Sequence, residues 1–257
     1  MSKRYRIQFP PADLDELGQD EVFFYLLDGT DKRKIRLHDY DEMYRFPGLY
    51  EQVVYERLKC HSPSKVRDVL VSAMEQSGKR FTENRVLDFG AGNGKAAEVL
   101  NEVGVARLVG VDIIPEAEEA AERDRPGIYD AYYTADFCNL TAEQREELSS
   151  WSLDCLVTVA ALGFGDIPPE AFMEAFNLID ENGWVAFNIK ESFLERRDST
   201  GFSKLIRELM FSNYLKLYHL ERYRHRISVD GKPLYYYAFG GRKRGNVTKE
   251  FLAEVGV

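Results

Sequence analysis

The segment Val86-Leu87-Asp88-Phe89-Gly90-Ala91-Gly92-Asn93-Gly94 decides how this chain is read. Arg85 to Phe89 predicts a short strand and Ala96 to Val103 a helix, so the glycines stand where a strand turns into a helix. Glycine there lets the backbone turn tightly and approach a ligand, and the helix start offers N–H groups that have no partner inside the helix. The third glycine is residue 94, and Lys95 fills the next position, so the G-x-G-x-x-G spacing of dinucleotide-binding turns fails by one residue. Asp88 stands two residues before the first glycine. A carboxylate aimed at the turn repels a pyrophosphate and suits the ammonium of a bound amino acid.

Outward from this turn the chain keeps a strand–helix rhythm. Downstream strands are predicted at 108–113, 131–135, 153–160 and 184–189, with helices at 115–123, 141–149, 169–179 and 202–214. Thr141 caps its helix, and Pro115 occupies the first turn of another. The ending breaks the rhythm: two β-prone segments, 218–229 and 234–239, flank the turn Asp230-Gly231-Lys232-Pro233. The prediction is an α/β fold, a Rossmann-like, seven-stranded, mostly parallel sheet with helices on both faces and an antiparallel C-terminal hairpin strand. Upstream, helical spacing runs over 49–58 and 64–77, with Ser64 as an N-cap after Pro63. Residues 1–37 differ from the rest. Phe9-Pro10-Pro11 breaks regular structure, and two β-prone runs around Asp28-Gly29 predict a hairpin. The expected organisation is an N-terminal appendage at 1–37, a ligand-binding domain at 38–245 and a tail at 246–257.

Two further acids fall at strand ends. Asp112, followed by Ile113, closes the second strand, where an acid accepts from both hydroxyls of a ribose. Asp136-Phe137 follows the third strand; the acid suits the exocyclic amine of adenine and the ring covers its face. Val159 and Ala160 end the fourth strand, which places their backbone beside a ligand at the carboxyl edge of the sheet. No Asn/Asp-Pro-Pro-Tyr/Phe motif follows, which argues against a nucleobase amine as acceptor.

Composition excludes other classes. With a net charge of −9 the chain lacks the basic excess of a phosphate-neutralising binder, so neither nucleic acid nor membrane is the expected partner. Arg242-Lys243-Arg244 is read as a solvated end. Cys60, Cys138 and Cys155 have no metal-ligand spacing, so no metal site or disulfide framework is expected. The polar N-terminus lacks a signal peptide, and no apolar run is long enough to span a bilayer, which predicts a cytoplasmic protein.

In this order these residues resemble class I S-adenosylmethionine-dependent methyltransferases, over about 40–243. Within that class the chain is most similar to the Williams–Beuren-region methyltransferase-like family, through Tyr40-Asp41 with Tyr50, the 88–92 turn, Gly127-Ile128-Tyr129-Asp130, and the run from Ala160 to Pro168. The resemblance implies S-adenosylmethionine as cofactor. Asp88, Gly90, Ala91, Gly92, Asn93 and Gly94 would hold its methionine end, Asp112 with Ile113 the ribose, and Asp136 with Phe137 the adenine. Val159 and Ala160 would lie beside it. Tyr40 and Tyr44, on helices N-terminal to the turn, would form a lid over the methionine.

The acceptor is expected to be a small molecule methylated by in-line displacement. The alternatives are a protein acceptor or a non-catalytic module that only binds the cofactor. A nicotinamide-dependent oxidoreductase is disfavoured by the glycine spacing. No catalytic residue is assigned. His38, His61, His219 and His225 are read as surface or structural residues, and Glu191 as an exposed acid at a helix start.

Overall fold

The computed structural model describes residues 3–10, 18, 21–194 and 201–256. A small antiparallel sheet comes first, with β1 (Arg6–Gln8), β2 (Phe23–Asp28) and β3 (Asp31–Arg36) in that order. The hairpin expected around Asp28-Gly29 is present, and β1 pairs along its free edge just before the prolines. Two short helices follow, α1 (Tyr40–Tyr44) and α2 (Leu49–Glu51). The second continues as a π-helical turn over Gln52–Arg57.

The larger unit alternates strands and helices. It contains α3 (Ser62–Glu75), β4 (Arg85–Phe89), α4 (Lys95–Glu102), β5 (Arg107–Asp112), α5 (Pro115–Asp124), β6 (Ala131–Thr134) and α6 (Ala142–Ser150). Then come β7 (Cys155–Thr158), α7 (Pro169–Leu178), β8 (Trp184–Lys190), α8 (Phe202–Phe211), β9 (Leu215–Ile227), β10 (Pro233–Lys243) and α9 (Lys249–Val255). The sheet order is β6-β5-β4-β7-β8-β10-β9, with β10 antiparallel to both its neighbours and the other pairs parallel. This is the predicted mostly parallel sheet with its terminal hairpin. The direction of winding reverses between β4 and β7, and such a switch point opens a crevice at the carboxyl ends of the strands.

Burial follows the period-two alternation of the strands. Leu87, Leu156, Val185 and Phe187 face a core shared with α7 and α8. Val86, Cys155, Val157, Trp184 and Ala186 face the opposite core, against α3 and α4. Each fully buried Leu or Phe contributes about 1.5–3 kcal/mol, so two such layers fix the register of every central strand. A third core joins Phe24, Leu26, Ile35 and Leu37 of the small sheet to Met43, Leu49, Val53 and Leu58.

Four local expectations change. Helix α3 begins at Ser62 with Pro63 inside its first turn, two residues before the anticipated Ser64 cap, because proline costs nothing where the N–H has no partner. Helix α8 ends at Phe211; Asn213 takes a left-handed conformation, which frees Leu215 to begin β9. The tail at 246–257 contains α9, whose Phe251 and Leu252 pack on the main core. Lys243 is fully buried rather than solvated: its Nζ donates to the carbonyls of Asn177 (3.1 Å) and Ile179 (2.5 Å) at the C-terminal end of α7.

Candidate active site

Strand β4 delivers the glycine turn to the carboxyl edge of the sheet. Gly90, Gly92 and Gly94 have φ of 78°, 54° and 83°, a region that L side chains avoid. Space is equally restrictive. A Cβ on Gly90 would lie 2.9 Å from Ala161 Cβ, and one on Gly92 would lie 2.5 Å from the Tyr44 hydroxyl. The amides of Gly90 and Ala91 both donate to the Val111 carbonyl at 2.9 Å, and the Gly92 amide donates to Asp112 Oδ2 at 2.9 Å. The turn is therefore stitched to the end of β5.

The cleft above this turn is a cavity of about 460 Å³. Of the residues singled out in the sequence, Tyr40, Tyr44, Gly90, Asp112, Ile113, Asp136, Phe137, Val159 and Ala160 all line it. Ala91, Gly92 and Asn93 line a small adjoining recess. Asp112 also accepts from the amides of Ile113 (2.8 Å) and Ile114 (3.3 Å). Burial raises its pKa, against the three amide hydrogen bonds that lower it. Asp136 sits at the exposed mouth and accepts from the Cys138 amide and from Asn139 Nδ2, which together hold its pKa down. A carboxylate has about four lone-pair sites, so both acids keep acceptor capacity. Ile113 is 59% exposed at the rim, and Phe137 packs on Phe89 with ring centroids 4.6 Å apart. Ala160 has φ of 56°, a conformation unfavourable for a residue with a Cβ. Asn188 holds it there, its Oδ1 accepting from the Ala160 amide at 2.7 Å.

Asp88 and Gly94 line neither space. The Asp88 carboxyl lies fully buried beneath the turn, where Oδ2 accepts from the Tyr129 hydroxyl at 2.7 Å and Oδ1 has no partner among the described residues. Burial pushes its pKa up to about 7; the Tyr129 bond opposes the rise and nearby Asp112 adds to it. Gly94 packs against Arg125 and Tyr129 as the residue before α4. The Asn93 side chain donates to Glu51 and Asp124, part of a network in which Arg125 binds Glu51, Glu98 and the Asn93 carbonyl. That network ties α2 to the glycine turn.

Helix α1 is anchored on α5. Tyr44 packs with Ala117 and Ala120, Arg123 donates to the Tyr44 carbonyl at 2.9 Å, and Arg45 pairs with Glu116 at 2.7 Å. The ring of Tyr50 lies 5.1 Å from that of Tyr44 and 6.3 Å from that of Tyr40, completing an aromatic roof.

Two of the histidines read as surface or structural residues in the sequence lie at or next to this wall. His38 lines the cleft, and its Nδ1 lies 3.1 Å from Asp166 Oδ2. The two are 128 residues apart, so no local pattern links them. His225 is buried, 2.5 Å from Ser62 Oγ through Nδ1, and stacked on Tyr236 at 4.0 Å. Burial and the charge of Arg226 push its pKa well below the usual histidine value. Glu191, by contrast, is exposed and paired with Arg222. Among the described residues no cluster could hold a metal ion, and no helix is long and apolar enough to cross a membrane.

A nucleoside that carries an amino acid fits these acceptors and surfaces. Acids with spare acceptor sites stand at the ends of β5 and β6, apolar Ile113 and Phe137 flank them, and the turn between has room only for glycine. The fold and cleft define a class I S-adenosylmethionine-dependent methyltransferase. Residues 63–228 match the family model described as a methyltransferase domain, and the chain belongs to that family. No curated protein matches it in sequence. Among solved structures it is similar to the N-methyltransferase NodS of Bradyrhizobium japonicum, solved with S-adenosyl-L-homocysteine. The identity is 14% and the TM-score 0.54, covering 80% of this chain and 97% of that one. A Thermoplasma acidophilum protein shares 17% identity at a TM-score of 0.50, covering 79% of this chain and 97% of its own. A Pyrococcus horikoshii protein put forward as an RNA methyltransferase shares 13% at 0.52, covering 70% and 85%. At these identities the likeness is one of fold, and a fold does not choose the acceptor.

Proposed function

We propose that this methyltransferase acts on a small-molecule acceptor. The observation that carries this reading is the roof of Tyr40, Tyr44 and Tyr50 over a cavity of about 460 Å³, with the His38–Asp166 pair on its wall. An aromatic-lined cleft shared with the cofactor suits a small ligand.

The roles follow from placement. Asp112 accepts from a ribose hydroxyl through its remaining site on Oδ2, Asp136 and Phe137 hold the adenine, and the Gly90–Gly94 turn takes the amino-acid end. Asp88 supports that turn from beneath. S-adenosylmethionine, when bound, supplies a methyl group on a positively charged sulfur. The lid tyrosines exclude water. His38, with one ring nitrogen held by Asp166, has a second nitrogen to take a proton from an acceptor O–H or N–H. The segments around Tyr40 and 160–168 that carry the likeness to the Williams–Beuren-region family meet at this cleft, which supports placing the chain nearest that family. Residues 1–37 are read as an appendage that braces the lid.

Labelled-methyl turnover against a metabolite library and, separately, an unfolded-protein extract tests the acceptor class. Label entering small molecules is expected; label confined to protein overturns the reading. His38→Gln should lower turnover by about 10²–10⁴-fold and leave S-adenosylhomocysteine affinity unchanged. An equal loss of both would make His38 a structural residue.

A further inference from the structure

Beyond the tyrosine roof a second recess of about 60 Å³ opens from the cleft, sharing His38, Tyr40, Val159 and Ala160 with it. Its far wall includes Cys60, His225, Arg226 and Tyr236, and among the described residues no acid lines it. Arg226 is 7% exposed. Its Nη1 donates to the Ile227 carbonyl at 3.0 Å, and no carboxylate stands within ion-pair distance of it among the described residues. A guanidinium is always charged, and burying one without a counter-charge is costly. Among the described residues nothing beside it removes that cost. The neighbouring His225 imidazole is held neutral by burial, and the Cys60 thiol is pushed up by burial toward its neutral form.

Arg226 is held firmly. It is the penultimate residue of β9, which runs in the same sense as β8, so it reaches the edge of the sheet that bears the cleft. The Ile227 amide donates to the Leu58 carbonyl at 2.8 Å, and the His61 amide donates to the His225 carbonyl, clamping this strand end against the segment before α3. A planar fork on a rigid strand end is suited to bidentate recognition of a carboxylate.

We propose that Arg226 is an anion-binding group for the methyl acceptor, which is therefore a small molecule bearing a carboxylate. The carboxylate seats against Arg226 in the recess, and the body of the acceptor spans the shared wall toward His38. This rests on the methyltransferase reading of the adjoining cleft. It narrows the acceptor from any small molecule to an anionic one.

The test is calorimetric titration of the full chain with benzoate and with its neutral isostere benzamide, each with and without saturating S-adenosylhomocysteine. Benzoate should bind at least tenfold more tightly than benzamide, and Arg226→Gln should remove that preference while S-adenosylhomocysteine affinity and thermal midpoint stay near those of the parent. Arg226→Gln also removes a buried group of β9, so Arg226→Lys is the second variant; it keeps the charge but loses the fork, and should retain part of the preference. Equal binding of the two probes, binding of neither, or a preference untouched in Arg226→Gln overturns the proposal. Failure of S-adenosylhomocysteine to bind would instead strike the cofactor reading, and the anion preference would still be read in the arm without it.

Discussion

Asp88 and Asp112 are both carboxylates at the ends of neighbouring strands, yet their surroundings give them different work. Asp112 has three amide donors and an edge on the cleft, whereas Asp88 has one tyrosine and no solvent. Asp112→Ala should weaken S-adenosylhomocysteine binding by at least about tenfold, since it removes the proposed ribose acceptor and releases the Gly92 amide; calorimetry checks this, and unchanged affinity would displace the ribose from β5. For Asp88 the consequence is a pH dependence. The carboxyl ionises at about pH 7 in the folded chain and near 3.9 when unfolded, so between those values the folded state holds a proton that the unfolded state has released. Stability from this group is complete below about pH 4, falls as pH rises to about 7, and is constant above that. The fall is on the order of 4 kcal/mol. Asp88→Asn should remove this slope, which denaturant unfolding of both proteins across the window would show; parallel curves would mean the acid is not shielded.

At the scale of elements, α3 and β10 approach unusually closely. A Cβ on Gly240 would lie 2.9 Å from both the side chain and the carbonyl of Val69, so only glycine lets the helix settle onto the strand. Gly240→Ala should cost about 1–3 kcal/mol by overpacking, visible as a lowered unfolding midpoint with the denaturant slope unchanged. The element boundaries show where sequence patterns were readable. Strand β4 was legible residue for residue, and Thr141 caps α6 in a full capping box with Gln144, because both signals are local. Helix α9 and the burial of Lys243 were not legible. A basic triplet near a chain end looks solvated until β10 carries its middle residue under the C-terminal carbonyls of α7.

For the whole molecule, the small sheet and the helices over 40–57 form one cohesive unit. Phe24 is fully buried in the core that holds Met43, Leu49 and Val53 in place, so the roof of the cleft depends on a strand that never reaches it. Phe24→Ala should cost about 3–5 kcal/mol within this cluster and weaken S-adenosylhomocysteine binding without touching the ligand. Conversely, S-adenosylhomocysteine should slow amide exchange across 40–58 and raise the thermal midpoint with concentration. Exchange slowed only around the glycine turn would show that the lid does not close on the ligand.

By itself the sequence determined the parallel sheet, its terminal hairpin, the glycine turn and the acids at the strand ends, because hydrophobic period, turn chemistry and strand-end position are properties of neighbours in the chain. Nine of the residues it singled out come together around one cavity. Only the tertiary structure decided which way each points. It turned Asp88 away from the cleft onto Tyr129, brought His38 to Asp166 across 128 residues, and left the Arg226 guanidinium at the end of β9 in a recess without an acid. Those outcomes depend on which distant segments share a wall, and no local pattern records that.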